Sequence, residues 1–245
     1  MNPFRQFLEL VSLHLRIMRG GVWFMIMVQF VLCAGLILGF GYLIPNISES
    51  AALYITTGAA TQAFTTVGLV MLPQFLSESK TLGRFEYFLT LPISREAYLL
   101  SQMTVVALVA TPGIVFAVAL GAWHYGFSLS IDPAVVPVVL LIFLSLAGIG
   151  VAMAVLSPYA QLTNALTQLI VFYVVFFAPV MLPVEQLPWV LRQVSVVMPP
   201  TYAADAIRGS LTNLPDTHVL RSMAVLGGFA LASLALSAGV IRRRG

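Results

Sequence analysis

Six long apolar runs, at residues 22–44, 51–76, 97–122, 133–156, 162–182 and 223–241, constrain this chain more than anything else in it. A helix needs about 20 apolar residues to cross the hydrocarbon layer of a bilayer, whereas a barrel strand needs about ten that alternate. These runs are continuous, and in lipid the backbone groups must be satisfied by an internally bonded helix or a closed barrel. The expected fold class is therefore an all-α integral membrane protein with six transmembrane helices. Composition agrees, since 60% of the 245 residues are hydrophobic and 9% are charged. A soluble domain carries roughly 25% charged residues.

Residues 1–20 precede the first run and differ from it. Phe4, Phe7, Leu8, Val11, Leu15 and Met18 recur at three- and four-residue spacing, against Arg5, Gln6, Glu9, Ser12, Arg16 and Arg19. That pattern predicts an amphipathic interfacial helix, its apolar face among acyl chains and its arginines against anionic lipid. The late start and length of the first run argue against a cleavable signal peptide, so the N-terminus is expected to be kept.

Charge fixes the expected orientation. An even number of spans puts Arg5, Arg16, Arg19, Lys80, Arg84, Arg95 and Arg242–Arg244 on one side, leaving only Arg192, Arg208 and Arg221 on the other. By the positive-inside rule both termini are cytoplasmic, in a multi-pass protein of a bacterial plasma (inner) membrane. The net charge of +3 is accounted for by these helix-end arginines and membrane lipids, and no nucleic-acid partner is expected.

Residues 183–222 then lie outside. Pro188 fits the first turn of a short helix through Val197, Pro199 and Pro200 break it, and Thr201 can cap a second helix carrying Asp205 and Arg208. Both are too short to span, so two re-entrant-like extracytoplasmic helices are expected, with a plain interfacial lid as the alternative.

Chemistry is sparse. The chain has no Gly-x-x-x-x-Gly-Lys-Ser/Thr loop and a single lysine, Lys80, so it is not itself a P-loop ATPase or an expected enzyme. His14, His124 and His218 are far apart, and Cys33 stands alone, so no metal site is expected. Acids lie near helix ends or in connections and not at mid-span, which argues against an ion-coupled transporter and for energy entering from outside the membrane. Two polar stripes stand out: Thr57, Thr61 and Thr65 in the second run, and Asn164 and Gln168 in the fifth, followed by Phe172. Such stripes can line a substrate path or hydrogen-bond between helices.

The densest charge sits at residues 77–96. Leu82, Phe85 and Leu89 share one helical face, and Pro92 stops a short surface helix, after which Ser94 can cap the third span. Lys80, Gly83, Glu86, Leu89 and Pro92-Ile93-Ser94 stand at the spacings of a pattern close to Glu-Arg-Glu-x-Gly-Thr-Leu-Glu-x-Leu-Leu-x-x-Pro-Val/Ile-Ser, with Thr81 and Arg84 departing from it. Pro199, Tyr202, Asp205, Ile207 and Arg208 follow a second pattern, Pro-x-x-Tyr-x-x-Asp-x-Ile/Leu-Arg. Together these resemble the membrane subunits of ABC-2 type exporters. The resemblance implies one transmembrane domain over residues 1–245 that pairs with a second copy or a paralogous permease and docks on two separate ABC ATPase subunits. ATP and Mg would be held by those partners, with no cofactor in this chain.

Residues 77–96 would then be a coupling region with a cytoplasmic coupling helix, Glu78, Lys80, Gly83, Arg84, Glu86 and Pro92 being its candidate contacts. Thr57, Thr61, Thr65, Asn164, Gln168 and Phe172 are the candidates for a path taking a hydrophobic or amphipathic, drug-like or lipid-like compound. The alternatives are export of a polysaccharide, an ion-coupled transporter or channel without an ATPase, and a membrane scaffold.

Overall fold

A computed structural model describes residues 3–44, 47–84, 87–88, 95–177, 180–181, 188–212 and 217–243. Its first element, α1 (Pro3–Leu43), is a single helix of 41 residues. At 1.5 Å per residue that is roughly 60 Å, about twice the hydrocarbon thickness. The expected interfacial helix 1–20 and span 22–44 are thus one element. Two glycines interrupt the pattern at Gly20–Gly21, but each costs only about 1 kcal/mol in a helix, too little to end it between good helix formers. Leu10, His14 and Met18 are buried against the protein at i, i+4 spacing, a face the expected lipid-facing series does not include except at Met18, while Leu8 of that series is half exposed.

The second run becomes a continuous rod from Glu49 to Thr81 in three parts: α2 (Glu49–Thr65), a π-helical stretch (Thr66–Met71) and α3 (Leu72–Thr81). Ser48 starts it, its Oγ accepting from the Ala51 N–H at 3.3 Å. Pro73 accounts for the π-helical stretch, because it has no N–H to donate and its ring crowds the carbonyl four residues back, at Leu69. Gly83, at φ +68°, turns the chain out of α3, with its N–H donating to the Lys80 carbonyl at 3.0 Å.

Then come α4 (Arg95–Tyr125), α5 (Val135–Leu156), α6 (Ala160–Phe177), α7 (Trp189–Ser195), α8 (Pro199–Leu211) and α9 (Val219–Arg243). Five of the described helices are long and apolar enough to cross a membrane: α1, the Glu49–Thr81 rod, α4, α5 and α9. The remaining expected crossing, 162–182, is represented by α6, whose 18 described residues measure about 27 Å and begin with polar side chains.

Two short helices lie between α6 and α9, with corrections to their ends: α7 runs from Trp189 to Ser195, so Pro188 is its N-cap and not in its first turn, and it stops short of Val197. Helix α8 begins at Pro199, so Thr201 is not its cap; the Thr201 N–H already donates to the Met198 carbonyl at 3.1 Å. Proline at the first helical position leaves no N–H to satisfy, so no side-chain cap is needed there.

Helix α1 lies along α4, α2 along α4, and α9 along α5, while α8 is wedged among α2, α5 and α9. The main core joins Phe64, Val67, Leu72 and Leu76 of the rod to Ile142, Leu146 and Val151 of α5 and Met103 and Val106 of α4. With no water to exclude between helices in lipid, close backbone approach drives such packing. A close backbone approach joins α5 to the π-helical stretch, where a methyl on Gly150 would overlap the Gly68 carbonyl oxygen.

Candidate functional site

Between the π-helical stretch, α6 and the start of α8 lies a cleft of about 590 Å³. Its walls are Leu69, Ile149, the α6 residues Leu166, Leu169, Ile170, Tyr173 and Val174, Met198–Pro200, and Phe229 of α9. A helix start ordinarily presents four unpaired N–H donors, but Pro199 and Pro200 remove two of them from α8, so this wall stays apolar. The volume falls within the range that takes a drug-sized ligand, about 300–1,000 Å³. Close contact of Gly68 with Gly150 sets this geometry, since Leu69 and Ile149 are their immediate neighbours in sequence and both line the cleft.

The candidate path residues divide into two groups that do not meet. Thr57, Thr61 and Thr65 are buried, and their hydroxyls donate back to the carbonyls of Leu53, Thr57 and Thr61 at 2.8, 2.8 and 2.9 Å. Asn164, Gln168 and Phe172 stand exposed along α6. The polar start of α6 is therefore two-faced: Thr163 and Thr167 turn inward, to Ser77 at 2.7 Å and Gln74 at 3.0 Å, while the amides turn outward.

Among the coupling candidates, Glu78 and Arg84 are exposed at and beyond the end of α3, with Gly83 at the turn between them. Lys80 faces inward. Its Nζ donates to the carbonyls of Ala154 and Ser157, both at 2.9 Å, at the C-terminal end of α5. Glu86 and Pro92, and the cap expected at Ser94, lie outside the described residues. Tyr87 and Phe88 are helical, and Phe88 packs on Tyr98 of α4 with ring centroids 5.0 Å apart.

Two polar clusters lie outside the path and coupling candidates named from the sequence. Arg208 of α8 is 5% exposed. Its guanidinium carbon lies 3.6 Å from the Tyr54 ring centroid, Nε donates to Thr57 Oγ1 at 3.3 Å, and Nη2 donates to the Val180 carbonyl at 3.0 Å. Asp205, expected beside Arg208 at i, i+3, instead accepts from Ser222 Oγ at 2.6 Å and the His218 N–H at 3.2 Å. These bonds hold α8 to α2 on one side and to the start of α9 on the other. The available signal was a cation and an acid within a short helix too apolar for a solvated loop.

The second cluster is at the opposite end. His14 is buried, Nδ1 lies 3.1 Å from Ser101 Oγ, and the ring meets Tyr98 edge-on at 5.3 Å and Phe88 at 5.8 Å. Its signal was the inward i, i+4 series Leu10, His14, Met18.

Residues 5–212 match the family model described as ABC-2 type transporter. The chain is also similar to Nodulation protein J of Rhizobium meliloti (strain 1021), 27% identical over 108 residues. That alignment covers 44% of this chain and 41% of the relative.

Proposed function

Since this chain belongs to the ABC-2 type transporter family, we propose that it is the membrane subunit of an ATP-driven exporter moving a hydrophobic or amphipathic compound out of a bacterial cell. Two copies, or one copy and a paralogue, pair around the path and dock on two ATPase subunits, which hold ATP and Mg. Both termini and the segment after Gly83 face the cytoplasm, as the distribution of Lys and Arg favours.

The observation that carries the substrate class is the apolar cleft beside α6. A ligand of matching surface gains about 0.8 kcal/mol per buried CH₂ relative to water, and the cleft walls offer little to a polar one. A second reading, export of a polysaccharide, is favoured by the exposed amides Gln161, Asn164 and Gln168, which can hydrogen-bond sugar hydroxyls.

The test is purification in mild detergent followed by reconstitution. An ATPase subunit should co-purify, and vesicles should move a fluorescent lipid or a lipophilic dye on addition of Mg-ATP. Replacing Arg84 and Glu86 together should lower transport-coupled ATP hydrolysis while leaving membrane insertion intact. Movement of these probes driven by an ion gradient with no ATPase bound would replace this reading by an ion-coupled one.

A further inference from the structure

Helix α3 carries three polar side chains at intervals of three residues, Gln74, Ser77 and Lys80, and all three reach across to the α5–α6 corner. Gln74 Nε2 donates to Thr167 Oγ1 at 3.0 Å, and Ser77 Oγ and Thr163 Oγ1 share a hydrogen bond of 2.7 Å. Lys80 Nζ closes the series on the carbonyls of Ala154 and Ser157. Those carbonyls belong to the end of α5, where the last four C=O groups lack helical donors and the helix dipole is negative. Met153, within the same turn, is satisfied locally, its carbonyl accepting from Ser157 N–H at 3.0 Å and Ser157 Oγ at 2.8 Å. An ammonium at that end meets a demand that the local sequence leaves unmet at Ala154.

The position of the stripe gives it a consequence. Below it, three residues on from Lys80, Gly83 turns the chain into the segment carrying Arg84, Tyr87 and Phe88. Above it, Thr167 stands between Leu166 and Leu169, which line the cleft. These bonds, from one charged and two neutral polar groups at buried and partly buried positions, are strong relative to the dispersion contacts around them.

We propose that Gln74, Ser77 and Lys80 form a strut that makes α3 and the start of α6 move as one body, with Lys80 as its positioning residue. Displacement of the segment after Gly83 is thereby delivered to the wall of the cleft. The delivery step rests on the membrane-subunit reading above; the strut itself does not.

The test uses the full chain with Cys33→Ser and nitroxide labels at Leu82→Cys on the end of α3 and Ala165→Cys on α6, both exposed positions. Distances are measured by pulsed electron paramagnetic resonance in the chain alone and in its complex with the co-purified ATPase, with and without Mg-ATP and vanadate. The expected result is one narrow distance in every state, loss of that narrow peak with Lys80→Met, and its return with Lys80→Arg, which keeps N–H donors for the two carbonyls. Should Lys80→Met fail to accumulate in the membrane, Ser77→Ala carries the same comparison. An unchanged narrow peak in Lys80→Met, or in Ser77→Ala in its place, overturns the strut. So does a pair in the otherwise unmodified chain that separates on vanadate trapping, although the ATP response would then support the transporter reading. If no ATPase co-purifies, that reading fails by itself, and Lys80→Met against Lys80→Arg in the chain alone still decides the strut.

Discussion

Replacing Gly150 by alanine probes the contact that shapes the cleft. A methyl at this position would overlap the Gly68 carbonyl oxygen and stand 3.1 Å from Pro73 Cδ. The first neighbour is backbone, in the π-helical stretch, and cannot rotate away. Restoring a separation of about 3.5 Å requires α5 and that stretch to part by on the order of 1 Å. Overpacking of this kind costs roughly 1–3 kcal/mol. The better helix propensity of alanine returns up to about 1 kcal/mol. The net expectation is a loss of about 0–2 kcal/mol, with a shift of roughly 2–4 °C in Tm per kcal/mol for a chain of this size.

Gly228 in α9 supplies the control, because nothing lies within 4 Å of a methyl there. Gly228→Ala should be neutral or stabilising by up to about 1 kcal/mol. The difference between the two variants, about 1–3 kcal/mol, isolates the clash from the propensity term. Melting in mild detergent, followed by circular dichroism, measures it. A Gly150→Ala chain that melts together with Gly228→Ala would refute the close-packed reading of α5, and with it the account of how Leu69 and Ile149 are placed.

Arg208→Lys keeps the charge but loses the flat stacking over Tyr54 and the fixed donor to Thr57, so a destabilisation of about 1–2 kcal/mol is expected. Its effect should be smaller when Tyr54→Leu is already present, a non-additivity that a double-mutant cycle in thermal melts will detect. Asp205→Ala removes the acceptor for Ser222 Oγ and the His218 N–H and should cost roughly 1.5–3 kcal/mol, read by the same melts and by faster proteolysis near residues 217–222. Ile170→Trp fills the cleft; dye or lipid movement by reconstituted vesicles should fall severalfold while the melting temperature holds.

Membrane character and the proline-delimited short helices were legible, because each follows from a local rule: bilayer length, a missing N–H. The turn at Gly83 was not, since Leu82, Phe85 and Leu89 fit one helical face, whereas α3 ends at Thr81 and Gly83 takes a positive φ. What the chain order concealed was which face of each helix turns inward. The threonine series in α2 has the same i, i+4 spacing whether it lines a path or bonds to its own helix. Only the packing of α8 against α2 shows Thr57 inside, beside Arg208. Lys80 was a candidate contact for a partner because it lies in the densest charge of the chain, yet its ammonium donates to the end of α5, 74 residues away in sequence. The π-helical stretch was hidden differently. A proline inside an apolar run signals a disturbance, and whether that becomes a kink, a break or a wider turn depends on Gly68 letting α5 come close.

The length of α1 has a consequence for where this protein can work. A rod of roughly 60 Å cannot stand upright within about 30 Å of hydrocarbon, so its tilt, and how much of its Arg-bearing portion stays in the headgroups, depends on bilayer thickness. His14 fastens that portion to Ser101, Tyr98 and Phe88. On the proposed assignment, lipid composition therefore bears on the same surface that would receive the ATPase, and vesicles made from shorter or longer acyl chains are different working conditions for the protein and not interchangeable supports.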